Sequence, residues 1–468
     1  MAQQRHRGGP NRKGKASRGL RVIREQVAGI DLGSQAHYVC GPQKQEGERN
    51  VEVFGTTTPQ LQKLADWLEQ QGVESVAMES TGVYWIPVYE VLESRGFEVL
   101  LVNARQLAHV PGRKTDMLDC QWIQLLHSCG LLRGSFRPAE PICRLRTLVR
   151  AKAELVSERA NWLRRMQKSL DEMNVRVHRA VSDLSGATGM GIVRAIVQGE
   201  RDPEQLAQLR DPRCRKTKEE IVAQLTGHWR EDHLFALQQA LRMYDFIQQR
   251  IESYEQELER VLAGMERAEL PGAQAPELSN TNKAKLIQKR GQEPMRQALY
   301  RISGVDLTQI DGVGVEIAEV VLSEYGFDLS MFPDEGHFVS HVLLAPRMAI
   351  TGGKPKKRKQ PGTASTRCSA ALRMGAVTLR QSQSALGAFY RRMARRKGAS
   401  VAVFATARKL AILIFRLLRW GQQYVDRGAA EYEQQFQAQR LQQLHRTADQ
   451  MGYRVVPNTE TTAPEAAP

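Results

Sequence analysis

Two short apolar runs, each ending in a carboxylate, constrain the fold of this chain most strongly. Residues 27–34 read Val-Ala-Gly-Ile-Asp-Leu-Gly-Ser, and residues 76–79 read Val-Ala-Met-Glu. Apolar runs of this length that stop at an acid and a turn predict buried strands, with Asp31 and Glu79 near their carboxyl ends. The chain should therefore begin with a sheet that carries acidic side chains at one edge.

The segments around these runs alternate between strand and helix patterns. We predict three further strands, around residues 37–40, at 51–54 and at 99–102. We also predict helices over 59–71 and 84–95, the second of them capped by Ser80 or Thr81. Strands that alternate with helices indicate an α/β domain over residues 26–137.

A pair of carboxylates follows the last of these strands. Residues 114–119 read Lys-Thr-Asp-Met-Leu-Asp and precede an apolar-rich run at 122–126, so we expect Asp116 and Asp119 on one face of a helix's first turn. Like charges this close repel, and Mg²⁺ or Mn²⁺, which prefer carboxylate oxygens, would neutralise them. The helix dipole alone also favours acids at such a position.

Brought together at one sheet edge, Asp31, Glu79, Asp116 and Asp119 would form a two-metal site. In such a site one ion activates an attacking oxygen and the other stabilises the leaving oxygen, with the ions about 3.5–4 Å apart. Each acid has an alternative role as a capping or turn residue. Four of them in this arrangement favour the metal site.

The charge of the chain indicates a polyanionic partner. Lys and Arg number 67 against 51 Asp and Glu, a net charge of +16. No stretch reaches transmembrane length and no signal-peptide core follows Met1, which favours nucleic acid over a membrane. The six cysteines form no Cys-x-x-Cys pair, so we expect neither a zinc site nor a disulfide framework, and a soluble protein of a reducing compartment. The Arg- and Lys-rich residues 1–25 predict a disordered basic arm.

Two heptad patterns follow the α/β domain. The first repeats from Val149 to Leu170 and the second from Leu237 to Met265. They predict a coiled-coil hairpin within residues 138–266 that also pairs with another chain; the alternative is an ordinary buried helix pair within one monomer. The intervening segment is predicted to be mostly helical. Residues 267–300 lack clear periodicity and are interpreted as a linker or insertion.

The segment 301–425 carries two features suited to phosphate. Gly312 and Gly314, just before a helical run at 315–325, would let backbone N–H groups approach a phosphate at a helix N-terminus, although a plain tight turn explains them as well. Further on lies a basic cluster that would hold backbone phosphate and make binding salt dependent, or that is a solvated loop. The cluster consists of Lys354, Lys356, Lys357, Arg358 and Lys359. Residues 426–468 are predicted to be helical, then disordered.

Several of these motifs together resemble one family. Asp-Leu-Gly-Ser at 31–34, Glu-Ser-Thr-Gly at 79–82, and Lys-Thr-Asp at 114–116 with Asp119 resemble the DEDD signature of a RuvC-like, ribonuclease-H-type domain. The residues within these motifs are similar to those of the insertion-sequence-110 family of transposases, which act as RNA-guided DNA recombinases. The run Leu-Ala-Pro-Arg-Met-Ala-Ile-Thr-Gly-Gly-Lys at 344–354 resembles the C-terminal transposase domain of the same family, subgroup 1111.

This resemblance implies an architecture and a set of partners. It implies an RNase H-like domain, a helical coiled-coil middle used for dimerisation and guide-RNA contact, and a mainly helical C-terminal domain with a helix-hairpin-helix-like element. It also implies that Asp31, Glu79, Asp116 and Asp119 bind Mg²⁺ or Mn²⁺, and that Lys114 contacts nucleic acid. The expected partners are DNA, a guide RNA and further copies of the chain in a dimer or tetramer, in the prokaryotic cytoplasm at the nucleoid. Seven cations fit an RNA-facing surface or a solvated face: Arg144, Arg146, Arg150, Arg159, Arg164, Arg165 and Lys168.

One residue departs from the family pattern. The family has a nucleophilic serine before the Gly-Gly-Lys motif, whereas this chain has Thr351. Threonine can act as a nucleophile, but its methyl group crowds the attack path and restricts χ1. Either Thr351 attacks, or Ser365 or Ser369 has replaced it, or the covalent chemistry is impaired.

The sequence therefore predicts a transposase that cuts and rejoins DNA with divalent metal and a hydroxyl nucleophile. Two rival functions stay open: a structure-specific nuclease that uses water at the same acids, and a non-catalytic nucleic-acid-binding protein. A plain ribonuclease H would leave the C-terminal half of the chain unexplained.

Overall fold

The computed structural model describes most of the chain. The described residues are 21–43, 50–80, 82–103, 119–181, 183–212, 214, 216–265, 273–346, 349–351, 354–356, 365–421 and 428–456. The chain divides into two compact units, Met1–Arg137 and Pro138–Pro468. Among these described residues, no helix combines the length and the apolar character that a membrane crossing requires.

The first unit is built on a mixed five-stranded sheet. Its strands are β1 (Val27–Leu32), β2 (Ala36–Cys40), β3 (Val51–Gly55), β4 (Ser75–Glu79) and β5 (Glu98–Val102). The order is β3-β2-β1-β4-β5. β1, β2 and β3 are joined antiparallel, whereas β4 runs parallel to both β1 and β5. The five strands predicted from the sequence are confirmed.

Helices cover both faces of this sheet. They are α1 (Thr58–Gln70), α2 (Trp85–Ser94) and α3 (Asp119–Ser128). The core on one face joins buried residues of α1 and α2, such as Leu64 and Leu92, to Ile30 of β1. On the other face, Ile123 of α3 packs with Ala77 of β4.

The predicted cap of the second helix is wrong at Ser80. The N-cap of α2 is Tyr84, which makes no side-chain capping hydrogen bond. Gly82 adopts a positive φ of 60°, so the chain turns between Ser80 and the start of the helix, and Ser80 cannot reach the helix's first N–H groups. Thr81, the other predicted cap, lies outside the described residues.

The second unit is mostly helical. In its first part lie α4 (Glu140–Glu172), α5 (Val177–Ala180), α6 (Ala187–Val197), α7 (Pro203–Gln208), α8 (Lys218–Leu225) and α9 (Glu231–Ala263). Then come α10 (Thr281–Lys289), α11 (Glu293–Ser303), α12 (Val315–Tyr325), α13 (Glu335–His341), β6 (Ala349–Thr351) and β7 (Lys354–Lys356). The last helices are α14 (Arg367–Thr378), α15 (Ala385–Lys397), α16 (Ala399–Trp420) and α17 (Gly428–Gln450).

The two heptad runs lie on α4 and α9, which pack antiparallel. Lys152 contacts Glu255 at 3.9 Å, and Glu172, further along α4, contacts His233, which is earlier on α9. Leu170 of α4 and Leu237 of α9 share one buried core. The predicted helix pair is therefore present, and its pairing with a second chain stays a prediction.

The interpretation of residues 267–300 as a linker is wrong from residue 281 onward. This stretch contains α10 and most of α11. Met295, Leu299 and Ile302 are buried at helical spacing, so α11 has a regular apolar face. That face extends past residue 300, and the assumed boundary divided the pattern that would have revealed the helix.

Candidate functional site

Asp31 and Glu79 end two neighbouring parallel strands. The register pairs Gly29 with Ala77 and Ile30 with Met78, and each acid is the next residue along its strand. Because successive side chains on a strand alternate between the two faces, both acids lie on the face of Gly29 and Ala77. The sequence thus brings two carboxylates to one edge and one face of the sheet.

Helix α3 lies against this same face. A Cβ atom on Gly29 would be 2.4 Å from the carbonyl oxygen of Cys120, so only glycine allows the helix to approach β1 this closely. The first residue of α3 in the described chain is Asp119. The close approach therefore places the amino end of α3 beside the end of β1.

The thiol of Cys120 interacts electrostatically with two of the acids. Burial, together with the negative charges of Asp31 and Asp119, raises its pKa to about 11. Both carboxylates are thus within electrostatic reach of one buried sulfur. Three of the four predicted ligands, Asp31, Glu79 and Asp119, lie around one corner of the sheet.

The other end of α3 is anchored to β4. His127 Nε2 lies 2.9 Å from Ser75 Oγ, and the Ser75 hydroxyl donates to the carbonyl oxygen of Glu98 at 3.1 Å. Burial lowers the pKa of His127 to about 4, so the ring is neutral near pH 7 and can make this contact without charge. Contacts at both ends hold α3 in position across the sheet.

The structure describes three of the four predicted metal ligands. Asp116 and Lys114 lie outside the described residues. Within the described ranges, no group of three or more His, Cys, Asp or Glu side chains could hold a metal ion. The four-carboxylate metal site stays a prediction.

Thr351 lies on a short hairpin in the second unit. It is the last residue of β6, and its Cα partner on β7 is Lys354. Lys356 ends β7, whereas Lys357, Arg358 and Lys359 lie outside the described residues. This backbone pairing places Thr351 opposite Lys354, the first residue of the basic cluster.

The two serines considered as replacements for Thr351 differ in exposure. Ser369 is 3% exposed, and its hydroxyl donates to the carbonyl oxygen of Thr366. Ser365 is exposed and accepts a hydrogen bond from Arg373 Nη2 at 2.8 Å. Burial therefore argues against Ser369 as a nucleophile, since a phosphate group could not reach it.

The glycines before α12 have a packing role. Gly312 has a φ of 83°, and a Cβ on it would be 3.0 Å from the carbonyl oxygen of Gly375 on α14. Gly314 is the N-cap of α12. Beside it Glu316 accepts hydrogen bonds from Arg290 and Gln292, so a carboxylate already lies at this helix end. The phosphate contact predicted for Gly312 and Gly314 stays a prediction, and packing alone accounts for Gly312.

Comparisons with known protein families cover both units. Residues 28–175 match a family model described as a transposase, of the DEDD type of IS110. Residues 304–391 match a second model, the transposase IS116/IS110/IS902 family. The chain belongs to the IS110 family of transposases. A search of curated proteins found no match. As a member of this family the chain is an enzyme that cuts and rejoins DNA, and DNA is its partner.

Four of the cations that fit an RNA-facing surface of this transposase have protein partners in the structure. Arg146 and Arg150 bind Glu324 at 3.4 and 2.7 Å. The remaining contacts are those of Arg144 with Glu257 and of Arg159 with Gln248. These contacts join α4 to α12 and α9, and contact of the seven cations with RNA stays a prediction.

The positive charge of the chain is unevenly distributed along its sequence. Residues 336–425, here called the acid-free segment, contain 18 Lys and Arg and no Asp or Glu. The rest of the transposase has 49 Lys and Arg against 51 Asp and Glu. The whole positive excess of the chain is therefore concentrated in one segment, which a charge count taken in windows would have found.

Proposed function

We propose that this transposase cuts DNA at an RNase H-like domain through divalent metal ions bound by Asp31, Glu79, Asp116 and Asp119. The observation that carries the proposal is the convergence of Asp31, Glu79 and the amino end of α3 at one corner of the sheet. The strand order β3-β2-β1-β4-β5, antiparallel and then parallel, is the order expected of an RNase H-like domain. The match of residues 28–175 to a DEDD transposase model also supports it.

The donor set fits Mg²⁺ or Mn²⁺. All four proposed ligands are carboxylates, whose oxygens these ions prefer. When bound, the ions would polarise the scissile phosphate and lower the pKa of the attacking hydroxyl. The chain supplies the rigid part of this arrangement: β1 and β4 fix two carboxylates, and the Gly29 contact fixes the helix that carries the third.

The second part of the proposal concerns covalent chemistry at Thr351. Its hydroxyl oxygen would form a bond to phosphorus while the bond from phosphorus to one DNA oxygen breaks, leaving a free DNA hydroxyl. A hydroxyl of the partner strand would then attack the protein–DNA ester and restore Thr351. The phosphoester energy is kept in the link, so strand exchange needs no ATP. The support is the position of Thr351 where the family has serine.

The choice of DNA sequence is proposed to rest with a guide RNA. A non-coding RNA of the element would pair with the DNA, and the enzyme would act as a dimer or tetramer. The family resemblance supports both points. On α4, Arg165 stacks on Trp162 with 4.1 Å between the guanidinium carbon and the ring centroid, a platform suited to an unpaired base.

A trapping experiment tests this function. Purified transposase is incubated with Mg²⁺, DNA carrying the element's junction and RNA from its flanks, and denaturing gels are examined for protein–DNA adducts. We expect an adduct that disappears in Thr351→Ala and becomes more abundant in Thr351→Ser, because serine lacks the crowding methyl group.

Other outcomes favour the rival functions. Cleavage without an adduct, unaffected by either change at Thr351, would indicate a nuclease that uses water. Cleavage by Thr351→Ser but not by the natural protein would indicate impaired covalent chemistry. Metal-dependent cleavage that survives Asp119→Asn would contradict the proposed metal site.

A further inference from the structure

Two helices of the acid-free segment expose apolar and cationic side chains on one surface. The α14–α16 surface is formed by Arg373, Met374 and Val377 of α14 and by Val401, Phe404 and Arg408 of α16. Its apolar members are exposed: Met374 is 67% exposed, Val377 46%, Val401 43% and Phe404 36%. Apolar groups exposed together, with polar residues around them, are typical of a binding surface.

An arginine is fixed beside the aromatic ring. The guanidinium carbon of Arg373 lies 5.1 Å from the ring centroid of Phe404. Arg373 also donates from Nη2 to Ser365 Oγ at 2.8 Å and from Nε to the carbonyl oxygen of Ser369 at 3.3 Å. These three contacts hold the planar charge in place, so little side-chain entropy remains to be lost when a ligand binds.

A second arginine follows on the same face of α16. Arg408 lies four residues after Phe404 and seven after Val401, which places the three on one side of the helix. Its Nε is buried, and no hydrogen-bond partner for it is found in the described chain. Arg408 as a whole is only partly buried, so part of its side chain reaches this surface.

The charge pattern identifies the kind of partner. Neither Arg373 nor Arg408 forms an ion pair with any described residue, and the acid-free segment offers no carboxylate to neutralise them. Two cations without a carboxylate partner in the described part of the chain, beside exposed apolar groups, suit a polyanion with its own apolar faces. A single nucleic-acid strand is such a partner, because its unpaired bases can stack on side chains while its phosphates meet the arginines. In a duplex the bases are paired and stacked with each other, so they could not stack on these apolar side chains.

We infer that the α14–α16 surface binds a single strand of nucleic acid, with bases against Phe404 and its apolar neighbours and phosphates at Arg373 and Arg408. The inference rests on the transposase assignment only in that this enzyme handles nucleic acid. It involves neither the four carboxylates nor Thr351. The surface would hold a strand that is unpaired during recombination, whether DNA or RNA.

Equilibrium binding in EDTA tests this surface apart from any cleavage. The full-length transposase is titrated into a fluorescein-labelled 20-nucleotide oligo(dT), an oligo(U) of equal length, and a labelled duplex, and anisotropy is recorded. For Phe404→Leu, which keeps an apolar side chain but removes the ring, we expect about tenfold weaker binding of the single strands and little change for the duplex. For Arg373→Gln and Arg408→Gln we expect about fivefold weaker single-strand binding each and a salt slope lower by about one.

Matched variants provide the controls. Phe246 is the exposed ring of another cation–aromatic pair, with Arg250 at 5.5 Å, and Phe246→Leu should leave oligo(dT) binding unchanged. Arg95→Gln removes a charge that is paired with Asp66 and should also have no effect. Thermal melts of all variants identify any that fail to fold. If Phe404→Leu fails to fold, Arg373→Gln takes its place in the comparison.

Three results would overturn the inference. The first is a natural protein that does not bind single strands, and the second is equal weakening of single-strand and duplex binding by Phe404→Leu. The third is a change in oligomeric state in size-exclusion chromatography with binding intact, which would identify the surface as a contact between protein chains. Because binding is measured in EDTA, without metal-dependent cleavage, failure of this surface and failure of the proposed metal site are distinguished.

Discussion

The α-carbon of Gly29 lies so close to the backbone of Gln124 that a Cβ atom there would be 2.3 Å from the Gln124 nitrogen. One is on β1 and the other on α3, so this contact sets how near the helix comes to the strand that carries Asp31. The position of Asp119 relative to Asp31 therefore depends on the absence of a side chain two residues before Asp31.

Gly29→Ala should disturb both stability and the candidate metal site. The added methyl group forces α3 away from β1, and overpacking of this kind costs about 1–3 kcal/mol. We expect a lower unfolding midpoint in urea and, at temperatures where the variant is folded, strongly reduced cleavage. Gly191→Ala is the control, because nothing lies within 4 Å of the position of its Cβ. Equal stability of Gly29→Ala and the natural protein would contradict the close contact.

Asp119→Asn should abolish metal-dependent cleavage while leaving the fold intact. The amide keeps the size of the side chain but loses the negative charge that a divalent ion requires, and we expect at least a hundredfold lower cleavage rate. Rates are measured over a range of Mg²⁺ concentrations, with Asp66→Asn as a control acid on α1 that pairs with Arg95. A variant that cleaves like the natural protein at every Mg²⁺ concentration would exclude Asp119 from the site.

Loss of Asp306 should destabilise the second unit far more than loss of an exposed ion pair. Arg296 is 5% exposed and binds Asp306, 2% exposed, at 2.5 Å. Removing one partner leaves a buried charge, so Asp306→Ala should lower the free energy of unfolding by about 3–5 kcal/mol. Arg290→Ala breaks the exposed pair with Glu316 and should cost less than about 1 kcal/mol. Both are measured by urea denaturation.

A second variant separates the charge from the space it fills. If the cost of Asp306→Ala comes from the stranded guanidinium, the double variant Arg296→Met with Asp306→Leu should be more stable than Asp306→Ala alone. A double variant that is less stable than the single one would mean that the hydrogen bonds of Arg296 stabilise the fold by more than the burial of its charge costs.

His127 should make the first unit less stable as the pH falls below neutral. Its pKa is about 4 in the folded protein against 6.5 for a free histidine. Between these values the unfolded chain takes up a proton that the folded chain does not, so unfolding becomes easier as the pH falls from 6.5 to 4, by up to about 3 kcal/mol. Burial also lowers the pKa of His37, so the comparison uses His127→Gln, whose stability should fall less steeply over this range. The prediction would be contradicted if the free energy of unfolding fell equally steeply with pH in the two proteins.

The basic cluster should contribute much of the salt dependence of DNA binding. Changing Lys356, Lys357, Arg358 and Lys359 together to Gln should lower the slope of log K against log salt concentration by about 3–4, at about 0.9 for each phosphate contact on duplex DNA. The control variant changes four cations that lie beside carboxylates: Arg95, Arg230, Lys218 and Arg260. Equal slopes for the cluster variant and the natural protein would indicate a solvated loop.

Local patterns predicted the elements that carry the site, because their signals are contained in a few adjacent residues. The runs that end in Asp31 and Glu79 are β1 and β4, and the helix expected after Gly314 is α12. Which strands lie side by side was not predictable in this way, since it depends on contacts such as Gly29 with Cys120 that join distant parts of the chain. The role of Gly312 was hidden for the same reason, because its neighbour Gly375 is remote in sequence.

The arginines of α4 show the limit of reading charge from sequence. Arg146 and Arg150 look like part of a basic face, but both bind Glu324, which follows almost two hundred residues later. A cation is available to a nucleic acid only when no carboxylate of the fold neutralises it. That condition depends on tertiary structure in the acid-free segment too, where Arg416 pairs with Glu335 and Arg367 with Glu154.

The acid-free segment also makes its charge insensitive to pH. It has no carboxylate of its own to protonate, and the side chains of its 18 Lys and Arg ordinarily lose their charge only well above neutral pH. Acidification cannot free the protein from a polyanion by neutralising this segment. Ionic strength is the effective variable instead, so nucleic acid carried along from the cell should be removed by concentrated salt and retained through changes of buffer pH.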